Sequence, residues 1–583
     1  MASVTGSQFF TGQNGGNLNP QVTSNGSLPP PTPGVFNLEV YDGPPPPPTT
    51  PAPGYQGLAV VSDNGQQITL VSGAFGFTDN GTGSDTIIAQ GSDETITGGA
   101  ANFTGVATGN DDVINGGGQD TITVYGDFDT VNGNGNDSIT VFGSFNLVNP
   151  GAGNDTIFAN GNFDAITAGP GNDQITLTGV FDSVTGGISA DTITATGTND
   201  VITAGSGADL ITSTGNSDTV NGGSGPDTIN VSGVADSING GTGPDTISVF
   251  GLDEVITGGG GADSINGTGT GDVITGGSGA DTISVSGLGD LVTGGSGPDT
   301  ITATGTSEAI AGGGGNDSIT VTGTSDSITG GSGFDTISIS GLYDALTGGS
   351  GPATITASGT SETVTGGGGA VNVYATGNSD VVNGGSGADT ISVSGLADIV
   401  NGGTGPDTIS ASGTDEYITG GGGADSITAT GTSDTIAGDS GADTINVFGV
   451  TDSVTGGTGP ETIDVFSGHD TIATGSGFDQ ITVSGSNDTI HAGTFGNTTS
   501  AQITFTGGSS ELFADGPNTY ADTIVGFSQS AGDRIHLTGP DTVTAAVSNQ
   551  QSENGGQDTL ITLNDGSTIL LKGVSHINNS FFS

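Results

Sequence analysis

Carboxylates are the groups in this sequence whose type and spacing could do chemistry. Asp137, Asp155, Asp173, Asp191, Asp209, Asp227, Asp245, Asp263, Asp281, Asp299, Asp317 and Asp335 follow one another at intervals of 18 residues, and the register resumes at Asp389, Asp407, Asp425, Asp443, Glu461 and Asp479. A second column lies nine residues after the first: Asp164, Asp182, Asp200, Asp218, Asp236, Asp272, Asp290, Asp326, Asp344, Asp380, Asp398, Asp434, Asp452, Asp470 and Asp488, with Glu254, Glu308, Glu362 and Glu416 in the same register.

Stacked like charges repel unless something neutralises them. Only Lys572 and Arg534 oppose 61 acidic residues, for a formal charge of −59. A hard cation is the fitting counter-charge, because it takes six to eight oxygens, which Asp side chains and the carbonyls of a Gly-rich turn can supply. The turn Gly222-Gly223-Ser224-Gly225-Pro226-Asp227 has this chemistry, and stacking on Gly240 to Asp245 would hold a cation between adjacent coils. The first column is therefore expected to bind calcium, many ions per chain. The second column is the weaker candidate. Its turns, such as Val231-Ser232-Gly233-Val234-Ala235-Asp236, lack the paired glycines, and an Asp that merely ends a turn by bonding to nearby backbone explains them about as well.

The same composition excludes other functions. Nucleic acid and anionic membranes need Lys and Arg to meet their phosphates, and this chain has almost none. No stretch approaches the roughly 20 apolar residues of a membrane span, so membrane insertion is not expected. Residues Met1 to Phe10 show neither a basic nor an apolar segment of an ordinary cleaved signal. His469, His491, His536 and His576 are scattered without a partner motif, and no Lys follows the Gly-rich turns to make a phosphate cradle. Enzymatic sites need a distinct, non-repeating cluster, whereas here the same Asp recurs throughout; the chain is not expected to be an enzyme.

The elements that position the carboxylates are short strands. After Asp227, Thr228-Ile229-Asn230-Val231-Ser232 alternates polar and apolar residues, the period of a strand with one buried face. Ile229 and Val231 are expected inside, with Ile238 opposite. Stacked coils rise by about 4.8 Å each, so twenty would extend over roughly 95 Å. A coil this thin buries few apolar side chains, too few to offset the conformational entropy of a chain with 115 Gly unless cations tie it. Cation binding and folding would then be one equilibrium.

One unit, GGSGPDTIN followed by VSGVADSIN at residues 222–239, carries in its first half the nonapeptide G-G-x-G-x-D-x-U-x, where U is a large apolar residue. By this motif, the chain resembles the RTX calcium-binding β-roll proteins over roughly residues 80–495. The resemblance implies an all-β fold, a parallel β-roll or β-solenoid of about twenty 18-residue coils with stacked calcium-binding turns, capped at both ends. Near the C-terminus, Asp522 to Phe527, Gly532 to Leu537 and Leu560 to Leu571 resemble the cap of RTX proteins exported by type I secretion. That resemblance implies an uncleaved signal ending at Phe581-Phe582-Ser583, the type I secretion machinery as a partner, and a bacterial extracellular or cell-surface location.

The expected organisation is a Pro-rich flexible arm over 1–54, an N-terminal hairpin or cap over 55–80 around Asp63-Asn64-Gly65, the repeat region over 81–495, and a C-terminal cap with the secretion signal over 496–583. Two departures from the repeat carry expectations of their own. Ala353 and Val371 replace Asp in the first column, which predicts a gap in the cation row and local weakness. Glu254, Glu308, Glu362 and Glu416 recur every 54 residues; they read either as a lattice-contacting array on one edge or, preferably, as a trace of duplicated three-coil blocks.

Because repeats occupy almost the whole chain, the expected function is a secreted, calcium-dependent structural protein that self-assembles into a surface layer, filament or biofilm matrix. Its partners would be other copies of itself and cell-surface polysaccharide. The competing expectation is an adhesin or ice-binding protein that uses outer Thr, Ser and Asn ladders such as Thr300, Thr302, Thr320 and Thr322.

Overall fold

In the computed structural model, the described residues are 85–98, 102–492, most of 500–577, Phe582 and the strands within 8–79. The chain divides into two compact units, Met1–Leu291 and Val292–Ser583. Each is built mainly from parallel strands paired one coil apart, the pattern of an all-β solenoid, about 23 coils counted over both units, with almost no helix among the described residues. No helix among the described residues is long and apolar enough to cross a membrane.

Each coil contributes one strand to each of two parallel sheets. In the first unit, Thr228–Val234 pairs in register with Thr246–Leu252, setting Ile229 beside Ile247 and Val231 beside Val249. Across the coil, Ser237–Thr242 pairs with Val255–Gly260, setting Ile238 beside Ile256. Alternation decides which face is inside: Ile229, Val231 and Ile238 are buried, while Thr228, Asn230 and Ser237 are exposed. Repetition turns these positions into ladders of Ile and Val within the coils, each buried side chain contributing about 1.5–3 kcal/mol of transfer free energy. The second unit repeats the scheme, with Thr300–Thr306 on Ser318–Thr324 and Thr336 to Leu342 beyond it. Its outer rows mix residue types: Thr302 and Thr320 are followed by Ser338.

Strict 18-residue spacing holds only through the middle. Pairing offsets of 17 residues occur near the N-terminal end, where Thr121 lies beside Ser138, and separations of 21 and 23 residues occur near the C-terminal end. What persists is strand register, because a parallel sheet needs aligned strands and tolerates turns of different length.

The ends of the units differ from the repeat. Within residues 1–54, expected as an unstructured arm, the strands Gln8–Gly12, Leu18–Thr23 and Phe36–Tyr41 are present. The difference has a local cause: Phe36, Leu38 and Val40 alternate with Asn37 and Glu39, a strand pattern placed between the proline runs. The prolines at 44–48 and the turn Asp63-Asn64-Gly65 lie outside the described residues. Gly57–Val61 and Gln67–Ser72 pair antiparallel. In the second unit, Val543–Gln551, Gln557–Leu563 and Thr568–Lys572 form antiparallel pairs, and the last also pairs with Ala521–Val525. This arrangement covers the final parallel edge, which would otherwise template association. Phe582 bridges to Ile535.

Candidate metal centre

The turns between strands hold the carboxylates. Every first-column Asp named above, and every second-column Asp, is buried to within a few per cent of its surface. Each one uses its two oxygens differently. The amide of Asp209 donates to Oδ1 of Asp227 at 2.9 Å, and the amide of Asp227 donates to Oδ1 of Asp245 at 2.8 Å. The second column repeats this, from the amide of Asp218 to Asp236 Oδ1 at 2.8 Å and from Asp236 to Glu254 Oε2 at 2.7 Å. One oxygen of each carboxylate thus ties a turn to the turn before it.

The other oxygen mostly has no donor. Oδ2 of Asp227, Asp245 and Asp236, and Oε1 of Glu254, are buried without a hydrogen-bond partner, as is the second oxygen of most carboxylates in the two columns; at Asp137, Asp218 and Asp470 it accepts instead from the Asn134 amide and the Ser213 and Ser467 hydroxyls. Native folds seldom leave buried polar atoms unmet, and a charged one is the costliest case.

Glycine makes room beside these oxygens. A side-chain carbon added at Gly222 would lie 2.6 Å from Asp227 Oδ2 and 2.5 Å from the carbonyl oxygen of Gly240; at Gly240 it would lie 2.5 Å from Asp245 Oδ2 and 2.6 Å from the carbonyl of Gly258. Carboxylate and carbonyl oxygens therefore converge on one small cradle, which any side chain would fill. The second column does it differently. There the glycine stands three residues before the carboxylate, with Asp236 Oδ2 2.6 Å from the position of an added carbon at Gly233, and the converging carbonyl, of Gly215, comes from the preceding coil. The backbone just before the carboxylate is left-handed, with φ of 60° at Ala235, whereas first-column turns place that conformation at Gly223 and Gly225.

Burial makes many of these carboxyl groups weaker acids. It pushes Asp227 up to about 6, with like charge at Asp209 adding to the rise and the Asp209 amide opposing it. Burial lifts Asp236 to about 6 and Glu254 to about 7. Glu461 is raised further still, by burial and then by its contact with Asp479. Two rows of carboxylates are thus held where neither water nor a basic side chain compensates their charge.

This donor set fits calcium. It consists of hard oxygens, one negative charge per turn, glycine carbonyls beside each orphaned oxygen, and no nitrogen or sulfur. No cluster of three or more Asp, Glu or His side chains forms among the described residues; each cradle is one carboxylate with glycine carbonyls, repeated coil after coil. Bound calcium would supply charge neutralisation and bonds to those oxygens. The residues that would hold it are the first-column Asp and the glycines at the start of each turn, with the second-column carboxylates offering a similar but rearranged set.

Three features differ from the sequence expectation. Of the two readings of Glu254, Glu308, Glu362 and Glu416, the edge array does not hold: all four are buried in the second column in the place of Asp. Their extra methylene is taken up by pointing inward, so they cannot contact a lattice. The coils at Ala353 and Val371 keep their strand pairing without the carboxylate. Their strands lengthen to eight residues, Ala353–Thr360 and Val371–Asn378. The amide of Asp335 bonds to the Pro352 carbonyl at 3.1 Å, and that of Ala353 to the Ala370 carbonyl at 3.4 Å. Backbone carbonyls do there what carboxylates do elsewhere, and the two apolar side chains plug the cradle. Finally, both columns run beyond the residues found by spacing. Asp120 belongs to the first column, and Glu94, Asp112 and Asp129 to the second; all are buried, and the amides of Asp120 and Asp112 donate to Asp137 and Asp129. The 17-residue offset hid them. The strand motif after Asp120, Thr121-Ile122-Thr123-Val124, was the available signal. At the other end, Asp522 and Asp533 receive the amides of Ala501 and Ser510.

A family model described as the RTX calcium-binding nonapeptide repeat matches residues 81–102 and then, in successive and partly overlapping segments, from 150–184 through 212–247, 302–337 and 394–427 to 464–498. The matched segments cover more than half of the chain. No curated protein matches the chain.

Proposed function

The chain belongs to the RTX calcium-binding nonapeptide repeat family, and from that premise we propose that it is a secreted structural protein whose solenoid forms outside the cell on calcium and then self-assembles into a surface layer, filament or biofilm matrix. The observation that carries the calcium-linked part is the orphaned, buried oxygen in turn after turn. In a low-calcium cytosol those carboxylates would be charged and uncompensated, which favours the unfolded chain; an extracellular calcium supply reverses the balance. Export by a type I system, with the signal at the C-terminal end, suits a chain that must cross unfolded.

Assembly rests on organisation. Repeat strands recur coil after coil from Asp85 to Ala492, and the described histidines sit apart from any cluster, so the reading is a structural role without catalysis. Electron microscopy of the purified protein with calcium and with chelator tests it. Filaments or sheets that appear with calcium support the reading; single particles under all conditions refute assembly. An adhesin that binds cell-surface polysaccharide is the second reading, which the outer rows of Thr, Ser and Asn support. Ice binding is disfavoured by the mixing of Thr with Ser in those rows, and a thermal-hysteresis measurement is expected to find none.

A further inference from the structure

The two turn edges of the coil are unlike in a way that calcium does not require. Among the described residues of Met1–Leu291, sixteen large apolar side chains are exposed, and twelve of them lie between two residues before and one residue after a second-column position. Near the first column, only Ile188 and Leu210 among the described residues are exposed in this way. The asymmetry is not required by the core, because apolar residues at these positions stay about half exposed at the surface.

Phe128, Phe145, Phe163 and Phe181 head this edge. They occupy the position just before the column in four successive coils, half exposed, with neighbouring ring centroids 4.9, 4.8 and 5.0 Å apart and planes within 6° of parallel. Their backbone φ values are 58–63°, a left-handed conformation that bulky residues rarely adopt. In other coils of the unit this position holds Asp, Asn, Ser, Ala or Gly, for example Asn199, Ser217 and Ala235. Since the rings stack face to face, they present edges outward, a narrow ridge rather than a flat platform for sugar rings. Beyond the Phe ladder the edge continues through Leu252 and Leu288.

We propose that this second-column edge of Met1–Leu291 is the surface by which two copies of the chain associate side by side. The inference rests on the self-assembly reading and names the face responsible. Three observations favour a second copy. The exposed apolar area of the twelve side chains is on the order of 1,000 Å², against the ~800 Å² per partner of a stable interface. From Ser144 to Leu252 the exposed residues of this edge carry no charge, since the carboxylates there are buried, so two like edges meet without the repulsion that the acidic chain otherwise imposes. The apolar positions also recur at the coil spacing, so a second copy matches them along the whole ridge, as an isologous contact requires.

The test is sedimentation velocity on the full chain in calcium, over a range of concentrations, for wild type, F128S/F145S/F163S/F181S and L252T/L288T. Ser217 and Thr270 show that Ser and Thr already occupy the two kinds of position. Wild type is expected as a dimer or larger, the Phe variant as a monomer with unchanged circular dichroism, and the Leu variant with association weakened at least tenfold. The chain has no Cys, so S217C on this edge should oxidise to a disulfide-linked dimer and S224C on the opposite edge should not. Assembly by both variants with the wild-type constant would overturn the edge assignment while leaving self-assembly intact. A monomeric wild type at every concentration would overturn both. A wild type that is monomeric in solution yet captured by neutral phosphatidylcholine vesicles, with the Phe variant not captured, would replace the second copy by a lipid surface.

Discussion

The amide of Asp227 donates to Oδ1 of Asp245 at 2.8 Å, while Oδ2 of that same buried carboxylate meets no donor. The first oxygen fastens one coil to the next, and the second is left for a cation. Most of what the protein is expected to do follows from this division of labour within one side chain.

Acid should substitute for calcium. Burial raises Asp245 from 3.8 to about 6 and Glu254 from 4.5 to about 7 in the metal-free fold. The folded state therefore holds more protons than the unfolded chain, and the stability gained from protonation is full below about pH 4 and lost as pH rises through roughly 6–7. In chelator, circular dichroism is expected to show β-structure near pH 4 that disappears by pH 7.5. Metal-free protein that gained structure on raising the pH would contradict the sign.

Glycine substitutions should separate cradle from surface. At Gly240 an added carbon meets Asp245 Oδ2 at 2.5 Å and a backbone carbonyl at 2.6 Å, whereas at Gly260 the nearest neighbour is Ser278 Oγ at 3.4 Å. Gly240→Ala is expected to cost on the order of 1–3 kcal/mol and to raise the calcium midpoint of folding. Gly260→Ala should leave that midpoint within about 0.5 kcal/mol of wild type, as ordinary surface changes do.

Ion counting should be non-additive at the apolar plug. If each first-column ion lies between the carboxylates of consecutive coils, then Ala353→Asp creates one such pair, with Asp335, and Val371→Asp creates one, with Asp389. The double variant creates three pairs, because 353 then also faces 371. Native mass spectrometry is expected to find one, one and three additional calcium ions. A gain of two in the double variant would mean that each turn binds its ion alone.

Much of this was legible in the amino-acid sequence. The 18-residue spacing located the first column, and the alternation around Ile229 and Val231 located the buried face, because register and periodicity are local properties. What spacing could not show was the burial of Glu254 and Glu416, since Glu and Asp differ by one methylene and the direction of the side chain depends on the turn. It also stopped at Asp137, though the column continues to Asp120: pairing conserves strand register, not turn length. At Ala353 and Val371 spacing showed the missing carboxylates but not that the Pro352 and Ala370 carbonyls accept the amides of Asp335 and Ala353. The apolar second-column edge was invisible for another reason, that exposed Phe and Leu look like core residues until the backbone assigns them to a turn.

The most direct test of the central claim is far-UV circular dichroism of the full chain at pH 7.5, titrated with calcium from a chelated start. A cooperative gain of β-signal with calcium, reversed by chelator and not produced by an equal concentration of magnesium, is the expected result. A β-solenoid already complete in chelator would mean that the buried carboxylates need no cation, and would contradict the account.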